Sequence, residues 1–220
     1  IPVFAFDTVA FVGQPVGILI GLEKSVLVDL RKNFKVLVNI GNATETEAAS
    51  QSVKYDAAGE KLFDYPVLLK KTFDFGDCKA VFEKANDTVS SCLTFERCYH
   101  YRSESACVKV VHGDDETYDV YTAAQWPYSV ADCVADCLNA PKKNINIHST
   151  NFGEHINSLV WFPSLLASQC AVAAKLSGKN ISLQFSRYED YNYTTCGPHI
   201  TVKHKTAISE SGKISAMDVT

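Results

Sequence analysis

The start of the chain alternates short apolar runs with turn residues, which predicts small strands around one helix. The run at 9–12, the turn residues Gly13-Gln14-Pro15 and the run at 16–20 are typical of two strands joined by a turn. From 25 to 34, apolar residues recur every three or four positions, and this spacing predicts a helix. The apolar run at 36–40 then predicts another strand.

A polar segment at 41–64 separates this start from the rest of the chain. It is rich in Gly, Asn, Thr, Glu, Ala and Ser and has few large apolar side chains, a composition typical of a linker. We expect proteases to cleave it before other segments. The sequence therefore predicts two domains, one over 1–64 including the linker and one over 65–220.

Strand and helix patterns are interleaved in the second predicted domain. The apolar runs that predict strands lie at 88–99, 105–112, 118–123, 144–148, 181–185, 200–208 and 214–219. The predicted helices lie at 77–85, between an N-cap at Ser129 and Pro141, and between Pro163 and Ser177-Gly178. Hairpin turns at 113–116 and 210–213 join neighbouring strands. This mixture predicts an α+β fold with a mixed, largely antiparallel sheet.

Charge and hydropathy argue against two classes of partner. The net charge of −4 gives no electrostatic reason to bind nucleic acid or an anionic membrane. The most apolar stretch, 159–174, contains Pro163 and polar residues and is shorter than the ~18–20 residues of a bilayer span. It predicts a buried helix, and we expect neither nucleic acid nor a membrane as partner.

The eight cysteines suggest neither a metal site nor a disulfide framework, because no two stand in a C-x-x-C pair. We therefore expect no metal ligands and eight unbridged thiols, packed as small buried hydrophobic side chains. A reducing, cytoplasmic location is the compartment that this usage favours. The cysteines are at positions 78, 92, 98, 107, 133, 137, 170 and 196.

Seven short motifs follow one another in a recognisable order. They are Val-Gly-Gln-Pro-Val at 12–16, Gly76-Asp77-Cys78 before a short helix, His100 with Glu104, Gln125 after a strand, Phe152-Gly153, Ser-Arg-Tyr-Glu-Asp at 186–190, and Pro198-His199 before the 211–214 hairpin. Taken together, the series resembles the molybdenum hydroxylases of the xanthine dehydrogenase and aldehyde oxidase family. The resemblance covers nearly the whole chain.

The resemblance implies a fold and a site. It makes 1–64 part of an α/β "hammerhead" domain and 65–220 the first part of a molybdopterin-binding domain. It implies that Gln125, Phe152 and Gly153 lie beside the cofactor, on adjoining loops; no catalytic residue is identified. The Gln125 amide can both donate and accept hydrogen bonds, as a metal-bound oxygen would require.

The resemblance also implies cofactors and partners. The complete enzyme would bind molybdopterin with molybdenum and hydroxylate a small purine, aldehyde or N-heterocycle. Electrons would pass to [2Fe-2S] and FAD on partner domains or subunits. The family's catalytic base and most pterin contacts correspond to positions beyond Thr220. We therefore expect a fragment or split subunit that is inactive alone and binds no molybdopterin without the remaining half of the domain.

Departures from the family pattern leave alternatives open. Ser149, Thr150 and Asn151 stand where the family has glycines, and Glu154 adds negative charge. These changes favour a second reading, a degenerate paralogue that serves as a scaffold or assembly subunit. A third reading, a binding module that uses its exposed aromatic residues, has no patterned support. His100 and Glu104 could form an acid–base pair or a buried structural hydrogen bond.

Overall fold

The computed structural model describes residues 3–9, 13–37, 69–151, 153 and 158–220. These residues pack into two units. The first is drawn from Ile1–Ile40 and Tyr99–Gly197, and the second from Gly41–Cys98 and Pro198–Thr220. The predicted linker at 41–64 and the domain boundary that follows it lie outside the described residues, so both stay predictions.

The described elements mix helices with strands, as the α+β prediction requires. In chain order they are α1 (Lys24–Asn33), α2 (Cys78–Lys84), β1 (Asp87–Phe95), β2 (Cys107–His112), β3 (Tyr118–Thr122), α3 (Pro127–Leu138), β4 (Ile145–Ser149), α4 (Ser158–Ser177), β5 (Ile181–Gln184), α5 (Arg187–Tyr193), β6 (Ile200–Ile208) and β7 (Ile214–Val219).

A four-stranded mixed sheet in the order β4-β3-β2-β5 forms the centre of the first unit. β2 pairs antiparallel with β3 and β5, whereas β3 and β4 run parallel. Inward-facing residues alternate along the strands, and Val108, Val110, Tyr118 and Val120 are fully or almost fully buried. This arrangement confirms the predicted mixed, largely antiparallel sheet.

Helices α3 and α4 complete this core. Val130 and Val134 of α3 and Leu166 of α4 are buried beside the strand residues, each with less than 2% of its surface exposed. Burying such a side chain stabilises the fold by about 1.5–3 kcal/mol. Helix α4 has the length and hydropathy of a membrane span, but two thirds of its most apolar window is buried in the unit. The prediction of a buried helix at this position is confirmed.

Two predicted helix starts are wrong. Helix α3 begins at Pro127, with Trp126 at the N-cap, because proline lacks the N–H that a first turn leaves unsatisfied. The predicted cap, Ser129, lies inside the helix, and its hydroxyl contacts that of Ser164 at 3.2 Å. Helix α4 begins at Ser158, so Pro163 lies within the helix and not at its start.

The N-terminal part of the first unit differs from its prediction. Helix α1 forms where a helix is expected, and Arg31 on it makes a 2.8 Å ion pair with Glu189 of α5. Residues 13–21 form no strand, so the strand predicted at 16–20 is wrong. Its run of apolar side chains has no neighbouring strand among the described residues. The Ala5 N–H donates to the Pro15 carbonyl at 2.7 Å. Most of the predicted strands at 9–12 and 36–40 lies outside the described residues.

The second unit is a three-stranded antiparallel sheet in the order β1-β6-β7 with α2 packed on β7. Ala207 and Ala216 are buried, in register with each other. The opposite face of the sheet carries large apolar side chains that are about half exposed. These side chains are Val89, Leu93, Phe95, Ile200, Met217 and Val219.

Candidate functional site

The carboxyl ends of β3 and β4 meet at one edge of the first unit's sheet. The two strands are parallel, with Thr122 opposite Ser149, and the Thr150 N–H donates to the Thr122 carbonyl at 3.1 Å. The loops that follow them therefore start side by side. The strand ends that lead to the two candidate loops are therefore neighbours, whereas the predicted nearness of Gln125 and Phe152 stays a prediction because Phe152 lies outside the described residues.

Gln125 lies three residues beyond the end of β3 and is half-buried. Its backbone N–H donates to the Leu159 carbonyl at 2.9 Å. Inside a helix that carbonyl would accept from residue 163, but Pro163 has no N–H. The proline thus frees the acceptor that fixes the Gln125 backbone against α4.

Gly153 lies on the loop after β4, where its backbone N–H donates to Glu104 Oε1 at 2.8 Å. The other carboxylate oxygen of Glu104 accepts from the Ser103 hydroxyl at 2.7 Å. A Cβ at position 153 would lie 3.1 Å from Ser103 Oγ and 3.3 Å from Glu104 Oε2, so only glycine fits without displacing a neighbour. Phe152, the third predicted residue, lies outside the described residues.

The family resemblance predicts that the Gly153 amide faces the cofactor, but in the structure this amide donates to the Glu104 carboxylate. Its pKa lies below the usual 4.5 because the Gly153 N–H, and next the Ser103 hydroxyl, bond to the charged form. The hydrogen bond predicted between His100 and Glu104 does not form. Glu104 bonds to Gly153 and Ser103, whereas His100 Nδ1 is buried and has no partner among the described residues.

A cavity of about 450 Å³ lies at this edge, within the first unit. Its polar wall includes Arg102, Glu104 and Gly153, and its apolar wall includes Leu159, Phe162 and Leu166 of α4. Gln125 does not line it. The remaining lining residues are Ser105, Ala106, Cys107, Thr122, Ala123, Thr150, Asn151 and Pro163.

Arg102 of the polar wall also belongs to a buried ion pair that the sequence pattern did not predict. Arg102 and Asp190 are 2% and 1% exposed, and the Arg102 guanidinium donates to the Asp190 carboxylate. The same carboxylate accepts from the Ala106 N–H at 2.8 Å. Arg187 donates to the Arg102 and Ser103 carbonyls at 2.6 and 2.8 Å. Through these hydrogen bonds, the 186–190 motif holds the backbone of residues 102–106 in place. Its one local signal is serine three residues before glutamate, a capping box.

The cysteines are less buried than predicted. Cys170 alone is fully buried, and burial raises the pKa of its thiol to about 12. Cys107, on the cavity wall, is exposed, as are Cys92, Cys98 and Cys137. The prediction that they pack as buried hydrophobic side chains is wrong for these four, since each is on a strand, helix or loop surface that nothing covers in its unit. None of the eight, all within the described part, forms a disulfide. Among the described residues no cluster of three metal-ligating side chains occurs.

The sequence matches one family model and several curated proteins. The model for the molybdopterin cofactor-binding domain matches residues 62–220. Aldehyde oxidase 1 of Oryctolagus cuniculus is 26% identical over 216 residues, which are 98% of this chain and 16% of that protein. Aldehyde oxidase 3 of Mus musculus is 28% identical over 151 residues, 68% of this chain and 11% of that protein. The chain thus spans a sixth or less of the length of these relatives.

Solved structures with a similar fold include two oxidoreductases. CO dehydrogenase from Oligotropha carboxidovorans superimposes with a TM-score of 0.57 and 19% identity, over 64% of this chain and 18% of that one. The aldehyde oxidoreductase of Desulfovibrio gigas gives a TM-score of 0.57 and 18% identity, over 66% and 16% of the two chains. At such identities the likeness concerns the fold.

Proposed function

This chain belongs to the molybdopterin cofactor-binding domain family, and we propose that it forms the first part of that domain in a molybdenum-dependent hydroxylase. The substrate is a small aldehyde, purine or N-heterocycle; the names of the aldehyde oxidase relatives favour an aldehyde. Other parts of the enzyme carry [2Fe-2S] and FAD, and the enzyme is cytoplasmic. The cofactor supplies the oxidation and oxygen-transfer chemistry when it is bound.

The observation that carries the proposal is the meeting of two parallel strand ends. It starts the loop with Gln125 next to the loop with Gly153. The Leu159 carbonyl, which Pro163 leaves free because it has no N–H, accepts from the Gln125 backbone N–H. Side chains and amides at the carboxyl ends of neighbouring strands can converge on one ligand. In this proposal the Gln125 amide is a positioning and binding group at the rim of the cofactor pocket.

The described residues do not fit the cofactor as they stand. Molybdopterin is an anion, and the Gly153 amide that would face it already donates to a carboxylate, that of Glu104. Placing an anionic group beside this carboxylate costs free energy because like charges repel. Residues outside this chain, together with a shift of Glu104, would have to complete the pocket.

This misfit favours a second candidate, a non-catalytic scaffold or assembly subunit with the same fold. The 2.8 Å bond between Glu104 and Gly153 closes the site internally, so the fold needs no ligand there. In this case the protein would keep the family's architecture and lack its chemistry.

Metal analysis and turnover of the full-length protein separate the two candidates. The working enzyme contains about one molybdenum per chain and oxidises an aromatic aldehyde such as benzaldehyde, whereas the scaffold contains none. In an active enzyme, Gln125→Ala should lower kcat at least about tenfold with its molybdenum content unchanged. Gln184→Ala, at the exposed end of β5, is the matched control and should leave turnover unchanged. Wild-type turnover in Gln125→Ala would exclude the proposed role of Gln125.

A further inference from the structure

Strand β1 is an edge of the second unit's sheet. Among the described residues its neighbour is β6, which pairs with every position from Asp87 to Phe95 without a register shift. Every residue of β1 except Ser91 is exposed, so both faces of the strand are largely uncovered. The backbone N–H and C=O groups of every second residue point away from β6. They form a template on which a further strand can pair.

This edge lacks the features by which proteins protect an edge strand, such as lysine, proline, a bulge or a covering helix. β1 contains no lysine, arginine or proline, and its one charged residue is Asp87 at its start. The opposite edge, β7, has such features. Its pairing with β6 is irregular between Ala207 and Ile208, α2 packs on it, and Asp218 adds a charge. Of the two edges, β1 is therefore the one suited to accept a strand.

The sequence of β1 is complementary to itself in one antiparallel register. When two copies are related by a two-fold axis at Cys92, Val89 of one copy lies opposite Phe95 of the other, and Asp87 lies opposite Arg97. Apolar side chains then face apolar ones and opposite charges face each other, which stabilises cross-strand pairs. Moving the axis by one residue toward the N-terminus would place Asp87 opposite Phe95. Charge complementarity therefore selects the axis at Cys92.

The chain stays in register beyond the end of β1, as this pairing requires. Glu96, the residue after Phe95, lies 3.8 Å from His199, the residue before Ile200. Arg97 is one position further along and is exposed, as Asp87 is. Both ends of the edge can therefore take part in the pairing.

We propose that β1 is a dimerisation edge, at which the β1 strands of two copies of this chain pair antiparallel about a two-fold axis at Cys92. The pairing satisfies the outward backbone groups and joins the two three-stranded sheets into one continuous sheet. One strand edge buries less than the ~1,200–2,000 Å² of a stable protein interface, so we expect a weak dimer. The inference involves no cofactor and does not rest on the proposed function.

Oxidative cross-linking of the 220-residue chain tests the register. Two Cys92 residues that face each other across the axis have Cα atoms about 4.5–5.5 Å apart, which is within the range of a disulfide. Diamide, which takes up the two thiol hydrogens, should therefore give a dimer linked from Cys92 to Cys92. Cys92→Ser should abolish this dimer, whereas Cys137→Ser, at another exposed cysteine, is the matched control and should leave it. A dimer linked only through other cysteines would contradict the register.

Sedimentation velocity under reducing conditions tests the surface. Val89→Lys should weaken dimerisation at least about tenfold, because it places a charge opposite Phe95. Val219→Lys is the matched control, since Val219 lies on the same face at the opposite edge and is similarly exposed, at 55% against 50% for Val89. This control should leave the Kd unchanged.

A charge exchange separates this register from other modes of association. Asp87→Arg and Arg97→Asp should each weaken the dimer roughly tenfold, because like charges then face each other at both ends, and the double variant should restore the wild-type Kd. Circular dichroism checks that each variant is folded. A wild-type chain that remains monomeric up to about 1 mM would overturn the proposal. A dimer that Val89→Lys leaves intact, or a double variant as weak as the single ones, would overturn it too.

Discussion

At the scale of single residues, the buried pair of Arg102 and Asp190 determines the local structure of the site. Asp190 accepts hydrogen bonds from the Arg102 side chain and the Ala106 amide, and Arg187 lies 3.5 Å from its second oxygen. Each partner compensates the desolvation of the other, so the pair contributes geometry more than net stability. The loss of one partner would leave the other charge buried and unpaired.

Asp190→Asn should therefore lower the free energy of unfolding by about 3–5 kcal/mol, as breaking a buried ion pair does. Urea unfolding followed by circular dichroism measures the change. Asp136→Asn, at an exposed position of α3, is the matched control and should change stability by less than about 0.5 kcal/mol. A loss below about 1 kcal/mol in Asp190→Asn would mean that Arg102 finds another partner or that water reaches it.

The Glu104 carboxylate gives the fold a defined pH dependence. Because its pKa in the folded protein is below 4.5, ionised Glu104 stabilises the fold above that pH, and the contribution is lost as pH falls through the lower folded value. Urea unfolding of wild type and Glu104→Gln from about pH 7 to pH 3 should give a stability difference that shrinks only below the usual carboxyl pKa. A difference that is the same at every pH would show that the charge of Glu104 contributes nothing.

At the scale of elements, helix α5 depends both on its own capping residues and on contacts with distant segments. Helix α5 is too short to be stable alone, yet it begins with a complete capping box between Ser186 and Glu189. The Glu189 carboxylate also pairs with Arg31 of α1. One short helix thus links the N-terminal segment to the segment at 102–106.

Ser186→Ala should lower the free energy of unfolding by about 1 kcal/mol, because the Glu189 N–H loses its acceptor. Ser182→Ala, on the exposed face of β5, is the control for the serine-to-alanine change and should be nearly neutral. Equal effects of the two substitutions in urea unfolding would indicate that the cap contributes no stability.

The elements that the sequence predicted are those with a long period or a clear turn. The hairpins β2–β3 and β6–β7 and helices α1 and α4 are recognisable because alternation or helical spacing extends over several residues. Helix α5 was not predicted, because its seven residues have no apolar stripe. The spacing of Ser186 and Glu189 is the local pattern that indicates it. The strand expected at 16–20 failed for a different reason, since pairing depends on a partner that no local pattern reveals.

The same limit applied at the site. The family resemblance implied adjoining loops after β3 and β4, and the two strand ends are neighbours, but the partner of the Gly153 amide could not be predicted. Glu104 lies far from Gly153 in sequence, so no local pattern predicts their hydrogen bond. Glu104 is also four residues after His100, a spacing that suggests a local pair, but that pair does not form. The buried Arg102–Asp190 pair, also distant in sequence, required the folded structure.

At the scale of the whole molecule, thiol exposure gives a direct check on how each unit is covered. Cys170 is enclosed by the first unit's core and its thiol pKa is raised to about 12, so it should resist alkylation. Cys92, Cys98, Cys107 and Cys137 should react with iodoacetamide in the native protein, as identified by peptide mass spectrometry. In denaturant without reductant all eight should react. Early labelling of Cys170 would show that the core opens.

The division into two units also concerns how the chain is made. Strand β1 of the second unit pairs with β6, where Phe95 lies opposite Ile200. On the order of 100 residues separate these two positions in the sequence, and most of them belong to the first unit. At a synthesis rate of ~5–20 residues per second, β1 leaves the ribosome roughly 5–20 s before its partner exists. During that interval Val89, Leu93 and Phe95 are available to chaperones or to other nascent chains. Of the elements described, this sheet is therefore the last that can form during translation.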